Sequence, residues 1–288
     1  QENVYWPSDE MKKRAWVSDE AIYAQAKADP EAFWAKHAED LHWFRKWDKV
    51  YEFAPQAYKW FLGGKINLSH NCLDRHIEAG RGDQVALIWE PEPIEEAPVR
   101  LTYAELHERV CRFANALKEL GVGKGDAVGI YLPMIPEAVI AMQACARIGA
   151  PHSVVFSAFS PDSLRDRMVD CGAKVVITAD GYFRRGKPID LKKNADAGTR
   201  NSSVEHLIVV KRTGAEVSMA AGRDLWYHDL VARASSDCPA EPLDAEDLSF
   251  LLYTSGTTGK PKGIMHTTGG YAVQSYLTAK WNFDMHAG

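Results

Sequence analysis

The chain has 288 residues, 46% of them apolar and 25% charged, with a formal net charge of −5. That length suggests one to two domains with ample material for a core, and the acidic balance disfavours non-specific nucleic-acid binding. No apolar run approaches the roughly 18 residues that a membrane-spanning helix needs, so no membrane partner is expected.

Residues 1–14 are polar and charged, without the pattern of a signal peptide. Five cysteines stand at positions 72, 111, 145, 171 and 238, an odd and widely spaced set with no C-x-x-C pair. The expectation is reduced, mostly buried thiols in a cytoplasmic protein. Residues 1 to 64 lack regular alternation and carry six of the nine tryptophans: Trp6, Trp16, Trp34, Trp43, Trp47 and Trp60. Asp29-Pro30-Glu31 opens a helix, with Asp29 as N-cap and Pro30 at the first position. These features predict an extension of short helices pinned by large apolar anchors that pack on the next domain, rather than a tryptophan platform for carbohydrate or peptide. His70-Asn71-Cys72-Leu73-Asp74-Arg75-His76 places possible metal ligands close together. No second ligand pair is near in sequence, and Cys72 and Leu73 fit an ordinary core stripe, so no metal site is assigned.

From Asp83 the pattern changes. Residues 84–89 alternate as a strand, and residues 91–98 form an acidic, proline-rich loop. Thr102-Tyr103-Ala104-Glu105 is a capping box, followed by apolar residues at helical spacing as far as Gly121. The chain then reads as strand 126–132, helix 136–148, strand 152–156, helix 161–170, strand 174–178 and strand 206–210. Strand 248–252 follows, and after the loop beyond it a helix over 269–280. Strands alternating with helices predict an α/β fold, a mostly parallel sheet with flanking helices, preceded by the helical extension. The domain reading is 1–82 for the aromatic-rich extension and 83–288 for the sheet-bearing part. Ligands in such sheets gather at the carboxyl ends of strands.

Two loops could carry ligand chemistry. Asp180-Gly181-Tyr182-Phe183-Arg184-Arg185-Gly186-Lys187-Pro188 sets three cations in four residues; composition alone favours a solvated basic loop over a phosphate grip. The second loop is Tyr253-Thr254-Ser255-Gly256-Thr257-Thr258-Gly259-Lys260-Pro261-Lys262-Gly263, just past the buried strand 248–252. Its glycines let backbone N–H groups approach a ligand, its hydroxyls donate hydrogen bonds, and its lysines bring mobile charge. This is a polyphosphate loop, but not a Walker A loop. Gly256 and Gly259 are too close for that spacing, and Pro261 follows Lys260. A plain Gly/Thr surface loop seldom combines these features.

The second loop resembles the signature of the acyl-adenylate-forming superfamily, which activates carboxylic acids with ATP. Other stretches narrow the likeness: Asn71-Cys72-Leu73-Asp74-Arg75-His76, Ala144-Cys145-Ala146-Arg147-Ile148-Gly149-Ala150, Val176-Ile177-Thr178-Ala179-Asp180, Val209-Val210-Lys211-Arg212-Thr213-Gly214 and His266-Thr267-Thr268-Gly269-Gly270-Tyr271. Together they resemble the AMP-forming acetyl-CoA synthetase family, from about residue 20 to the end. The resemblance implies that residues 83–288 are the first part of an adenylation large domain. Thr254, Ser255, Gly256, Thr257, Thr258, Gly259 and Lys260, with Lys262, would hold the ATP β- and γ-phosphates. Arg184, Arg185, Gly186 and Lys187 would contact the 3′-phosphate end of coenzyme A, and Phe156 and Ala158 would lie near its adenine. Ser157 and Ala158 stand where the family usually has two glycines, and Lys187 where arginine is frequent, with the charge kept. Family members continue well past the phosphate loop. The magnesium ligand, the acyl pocket and the catalytic lysine are expected downstream, and no catalytic or metal-binding residue is assigned here.

The implied substrates and cofactors are ATP, Mg²⁺, coenzyme A and acetate, in a full-length acetate–CoA ligase of which this piece alone would be inactive. The alternatives are a non-catalytic nucleotide- or CoA-binding fragment, or a ligase for another short carboxylate such as propionate. A kinase or GTPase is disfavoured by the absent Walker A spacing.

Overall fold

The computed structural model describes residues 4–55, 57–254 and 261–286. They group into two units: Gln1–Ile66 with Asp244–Glu246 and Thr268–Gly288, and Asn67–Leu243 with Asp247–Thr267.

In the first unit, helices Asp9–Arg14, Ala21–Ala28 and Pro30–Ala38 follow one another. Asp29 caps the third as its sequence predicts: its carboxylate accepts the Ala32 N–H at 2.9 Å, and Pro30 starts the helix. Four of the six tryptophans act as anchors among themselves, while Trp6 and Trp16 are exposed, against the expectation that all six pin the extension. Trp34 meets Trp60 edge-on at 5.9 Å, and Trp43 meets Trp47 at 4.8 Å. The predicted helix after the phosphate loop is present as Thr268–Leu277, continued by a π-helical turn Thr278–Asn282, and Lys280 pairs with Asp40 at 2.8 Å.

One element of this unit escapes sequence reading: the antiparallel ribbon of Lys49–Ala54 and Ala57–Leu62. Tyr51 lies opposite Trp60, and Phe53 opposite Tyr58. These aromatic cross-strand pairs stabilise one face of the ribbon. The other face carries Val50 and Phe61, both buried. With apolar residues on both faces, the period-two signal that marks a half-buried strand is lost.

The second unit is built on a seven-stranded sheet. Its strands in chain order are β1 (Val128–Ile130), β2 (His152–Val154), β3 (Val175–Ala179), β4 (His206–Val210), β5 (Asp224–Trp226), β6 (Leu248–Thr254) and β7 (Lys262–Thr267). Across the sheet they run β5-β4-β3-β1-β2-β6-β7. Every neighbouring pair is parallel except β6 and β7. This is the mostly parallel α/β sheet that the strand–helix alternation predicts. Strands β1, β3 and β4 are almost wholly apolar and buried, as central parallel strands must be.

Three helices of ten or more residues flank the sheet, with the shorter Lys192–Gly198 and Tyr227–Arg233 beside them. α1 (Tyr103–Glu119) begins at a complete capping box: Thr102 Oγ1 accepts the Glu105 N–H, and Glu105 accepts the Thr102 N–H. α2 (Pro136–Ile148) and α3 (Pro161–Asp170) keep the predicted bounds, each starting on its proline. Strand 84–89 is present as Val85–Trp89 but stands outside the main sheet. It pairs antiparallel with Val99–Thr102, and the acidic loop joins the two.

The His70–His76 stretch resolves into an ion cluster. His70–Asp74 forms a π-helical turn, continued by Arg75–Glu78. Asp74 receives both terminal nitrogens of Arg147 at 2.8 Å and lies 3.3 Å from His107 Nε2. His76 turns to Arg81 instead, at 2.6 Å; burial, then the charges of Arg81 and Arg75, push its pKa down to about 4. Among the described residues, no three His, Cys, Asp or Glu side chains come together as a metal cage.

Candidate functional site

Strands β1 and β3 are neighbours, but β1 leads on to β2 at one side and β3 to β4 at the other. The crevice outside their carboxyl ends is where sheets of this kind receive ligands. Along this edge lie the basic hairpin after β3, Tyr131 after β1, residues 155–160 after β2, and the end of β6 at Thr254.

The basic segment is a tight antiparallel hairpin of Gly181–Arg184 and Lys187–Asp190, where sequence reading placed a loop. Arg185 and Gly186 form its two-residue turn, with φ of 52° and 72°. Positive φ at both central residues is the type I′ geometry that suits the twist of paired strands. Glycine takes it at no cost, whereas Arg185 is strained there. Arg184 and Lys187 close the turn as directly opposed partners. Like charges opposite one another destabilise a ribbon. The tip therefore carries both strain and repulsion, and the Glu92 carboxylate stands beside it, accepting the Gly186 N–H at 3.2 Å. All four predicted residues, Arg184, Arg185, Gly186 and Lys187, are exposed there.

The base of the hairpin is fixed by Asp180, which is fully buried. Its carboxylate accepts the N–H of Gly181 at 2.7 Å, of Arg212 at 2.8 Å, of Thr213 at 2.9 Å and of Gly214 at 2.7 Å. One side chain thus ties the start of the hairpin to the segment after β4. Gly181 is needed for this approach: a Cβ there would stand 2.6 Å from the Ile189 carbonyl oxygen. Gly181→Ala is expected to push the hairpin strands apart and destabilise the unit by about 1–3 kcal/mol. Hydrogen-exchange protection lost across 181–190 would show it, and unchanged protection would contradict it.

Residues 155–160 turn sharply after β2, with Phe159 N–H donating to the Phe156 carbonyl at 2.9 Å. The Tyr131 hydroxyl, deep in the core, shares its one proton between the carbonyls of Phe159 at 2.7 Å and Ser157 at 3.0 Å. Phe156 and Ala158 are left exposed, while Ser157 is buried. The Arg167 guanidinium lies 4.8 Å from the Phe159 ring centre and 5.6 Å from that of Tyr253, so one cation braces this turn against β6.

Of the residues predicted to hold the ATP phosphates, Thr254 and Lys262 are described. They are paired across β6 and β7, so they stand face to face at the base of the loop. Ser255, Gly256, Thr257, Thr258, Gly259 and Lys260 lie outside the described residues. The hairpin and the 155–160 turn are separated by β1 alone, which sets their parent strands about 10 Å apart.

Four residues that shape this edge gave no functional signal in sequence: Tyr131, Arg167, Asp180 and Arg212. Asp180 and Arg212 sit in stretches that carry the family resemblance, but their contact spans 32 positions and no periodicity reveals it.

Residues 73–287 match a family model described as AMP-binding enzyme, and residues 19–72 match one described as acetyl-coenzyme A synthetase N-terminus. The acetyl-coenzyme A synthetase of Rubrobacter xylanophilus is 56% identical over 284 residues, covering 98% of this chain and 44% of that protein. That of Bdellovibrio bacteriovorus is 52% identical over 98% of this chain and 45% of its own length. That of Alkalilimnicola ehrlichii is 51% identical over 99% and 45%. The chain spans about half the length of the curated relatives it matches. With three quarters of its length covered by that first model and a mostly parallel sheet beneath, the chain belongs to the AMP-binding enzyme family, within the acyl-adenylate-forming superfamily.

Proposed function

We propose that the full-length protein is an AMP-forming acetate–CoA ligase, converting ATP, acetate and CoA to acetyl-CoA, AMP and diphosphate through an acetyl-adenylate. The observation that carries this reading is the 56% identity, over 98% of the chain, to a relative named acetyl-coenzyme A synthetase. Residues 1–82 are then the N-terminal extension and 83–288 the first part of the adenylation domain, inactive by itself.

In this reading the carboxylate attacks the ATP α-phosphorus and pyrophosphate leaves. Thr254 and Lys262, facing each other at the loop base, hold the ends of the loop. The hydroxyls, backbone N–H groups and Lys260 between them meet the growing charge on the leaving group. Mg²⁺ shares that charge when bound with ATP. Its protein ligand is expected downstream of this chain. In the second step the CoA thiol displaces AMP. Arg184 and Lys187 take the 3′-phosphate, and Phe156 offers its exposed ring to the adenine. Positioning, more than covalent help, is what this chain contributes to both steps.

No helix among the described residues is long and apolar enough to cross a membrane. We place the protein in the cytoplasm, a reading supported by the free thiols of Cys111, Cys145 and Cys238. The test is AMP release by the purified full-length protein with ATP, CoA and acetate. Release that depends on all three supports the reading. Release with propionate alone reassigns the acyl group, and none with either acid overturns it.

A further inference from the structure

We propose that Arg212 is a positioning residue for CoA: it holds the basic hairpin so that Arg184 and Lys187 converge on one phosphate. The proposal rests on the reading of that hairpin as the site of the CoA 3′-phosphate.

The Arg212 guanidinium lies 5.1 Å from the ring centre of Trp89 and 4.9 Å from that of Phe183. It is a flat cation held by two aromatic rings. Its two terminal nitrogens bind both oxygens of Glu96, at 2.9 and 2.7 Å. Its backbone N–H is fixed on Asp180, the same buried carboxylate that takes the Gly181 N–H. The side chain therefore has one geometry, and that geometry grips Phe183. Trp89 is anchored in turn, its indole N–H donating to the Met134 carbonyl at 2.7 Å.

Phe183 and Arg184 are successive strand residues, so their side chains leave the hairpin on opposite faces. A grip on Phe183 steadies the strand that carries Arg184 and leaves the Arg184–Lys187 face open. Both cations are exposed, repel each other, and sit beside a turn with Arg185 at positive φ. A ribbon of four residues a strand under such strain would splay without a brace, because so short a hairpin is marginal alone. Arg212 is not itself the phosphate ligand. Its charge is paired with Glu96, its faces are covered by rings, and its side chain is 15% exposed.

The experiment compares full-length enzyme variants in thioester formation with CoA and with dephospho-CoA, and in ATP–pyrophosphate exchange. Arg212→Gln is expected to raise the KM for CoA about fivefold, while the KM for dephospho-CoA and the exchange rate stay within about twofold. In an Arg184→Ala, Lys187→Ala background it should add nothing, because Arg212 acts through those two side chains. Arg212→Lys should behave like Arg212→Gln, since lysine supplies neither the flat stack nor the bidentate fork. Full rescue by lysine would mean a direct charge contact and would overturn the positioning role. Glu96→Gln, a milder change at the same brace, should move the KM for CoA in the same direction if Arg212→Gln proves too damaging to fold. A normal KM for CoA in the Arg212 and Glu96 variants, beside a raised one in the Arg184/Lys187 variant, would overturn the proposal and leave the site reading standing. A normal KM in the Arg184/Lys187 variant itself would overturn both.

Discussion

Replacing Arg184 and Lys187 together by alanine in the full-length protein is expected to raise the KM for CoA about tenfold or more. ATP–pyrophosphate exchange should stay nearly intact. The two side chains are the closing pair of a tight turn, directly opposed in register, and both are exposed. Directly opposed residues have Cβ atoms about 5 Å apart, close enough for two cations to share one phosphate. Charge-assisted bonds to phosphate are among the stronger polar contacts, and exposure to water discounts them. In the proposed reading the adenylation step uses the loop after β6, a strand three positions from β3 in the sheet. The two steps should therefore separate in the variant. Dephospho-CoA supplies the internal control, since it lacks the group that the proposed reading assigns to the two cations. It should lose its disadvantage against CoA in the double variant. If the variant still prefers CoA as strongly as the parent does, the 3′-phosphate is held elsewhere and the tip is only a solvated basic turn.

What the sequence made legible follows from where its signals are local. Helices α2 and α3 carry their start at a proline, and α2 its stop at Gly149, so their bounds could be read directly. The basic tip was legible as composition, three cations around a glycine, but not as shape. Nothing in the four residues says that Arg185 adopts positive φ, or that Arg184 and Lys187 face each other. The supports of the tip were not legible at all. Asp180 reaches Gly214 across 34 positions, and Arg212 reaches Glu96 across 116. Such contacts are set by the crossover order of the strands, not by any pattern along the chain. The 49–62 ribbon was missed for a different reason, its two apolar faces. The family resemblance supplied roles where local physics was silent, and it did so for the loop of Ser255 to Lys260, which lies outside the described residues.

The largest stability effect is expected at Asp74 and Arg147, the pair that replaces the metal ligands one could imagine at His70–His76. Arg147 has a side chain 2% exposed, and both of its terminal nitrogens meet the Asp74 carboxylate at 2.8 Å. Its Nε donates to the Cys238 carbonyl, so the guanidinium joins α2, the π-helical turn and the segment near 238. Removing Asp74 leaves the buried Arg147 guanidinium without its ion pair, which costs about 3–5 kcal/mol, whereas removing Arg147 leaves Asp74 the His107 ring at 3.3 Å. Asp74→Asn should lose stability on that scale and Arg147→Met less, and the double variant should lose less than the sum, because no buried guanidinium is left without its carboxylate. Amide protection along 136–148 reports the loss locally. Additive losses would show that the pair does not act as a unit. The cluster also sets a pH dependence. Burial raises the Asp74 pKa, but the hydrogen bonds from Arg147 and His107 outweigh it and hold the carboxyl well below the usual range. A depressed acid contributes stability above its unfolded pKa, roughly 3.9, and that contribution fades as pH falls further. His107 moves the other way: its hydrogen bond to Asp74, then that to Cys111, raises it from 6.5 to about 9. Its contribution is complete below pH 6.5 and is lost as pH rises through about 9. The parent should thus lose protection at 136–148 between those two pH values, and His107→Gln should remove that slope while leaving the acid limb. A slope that survives in His107→Gln would assign the titration to another group.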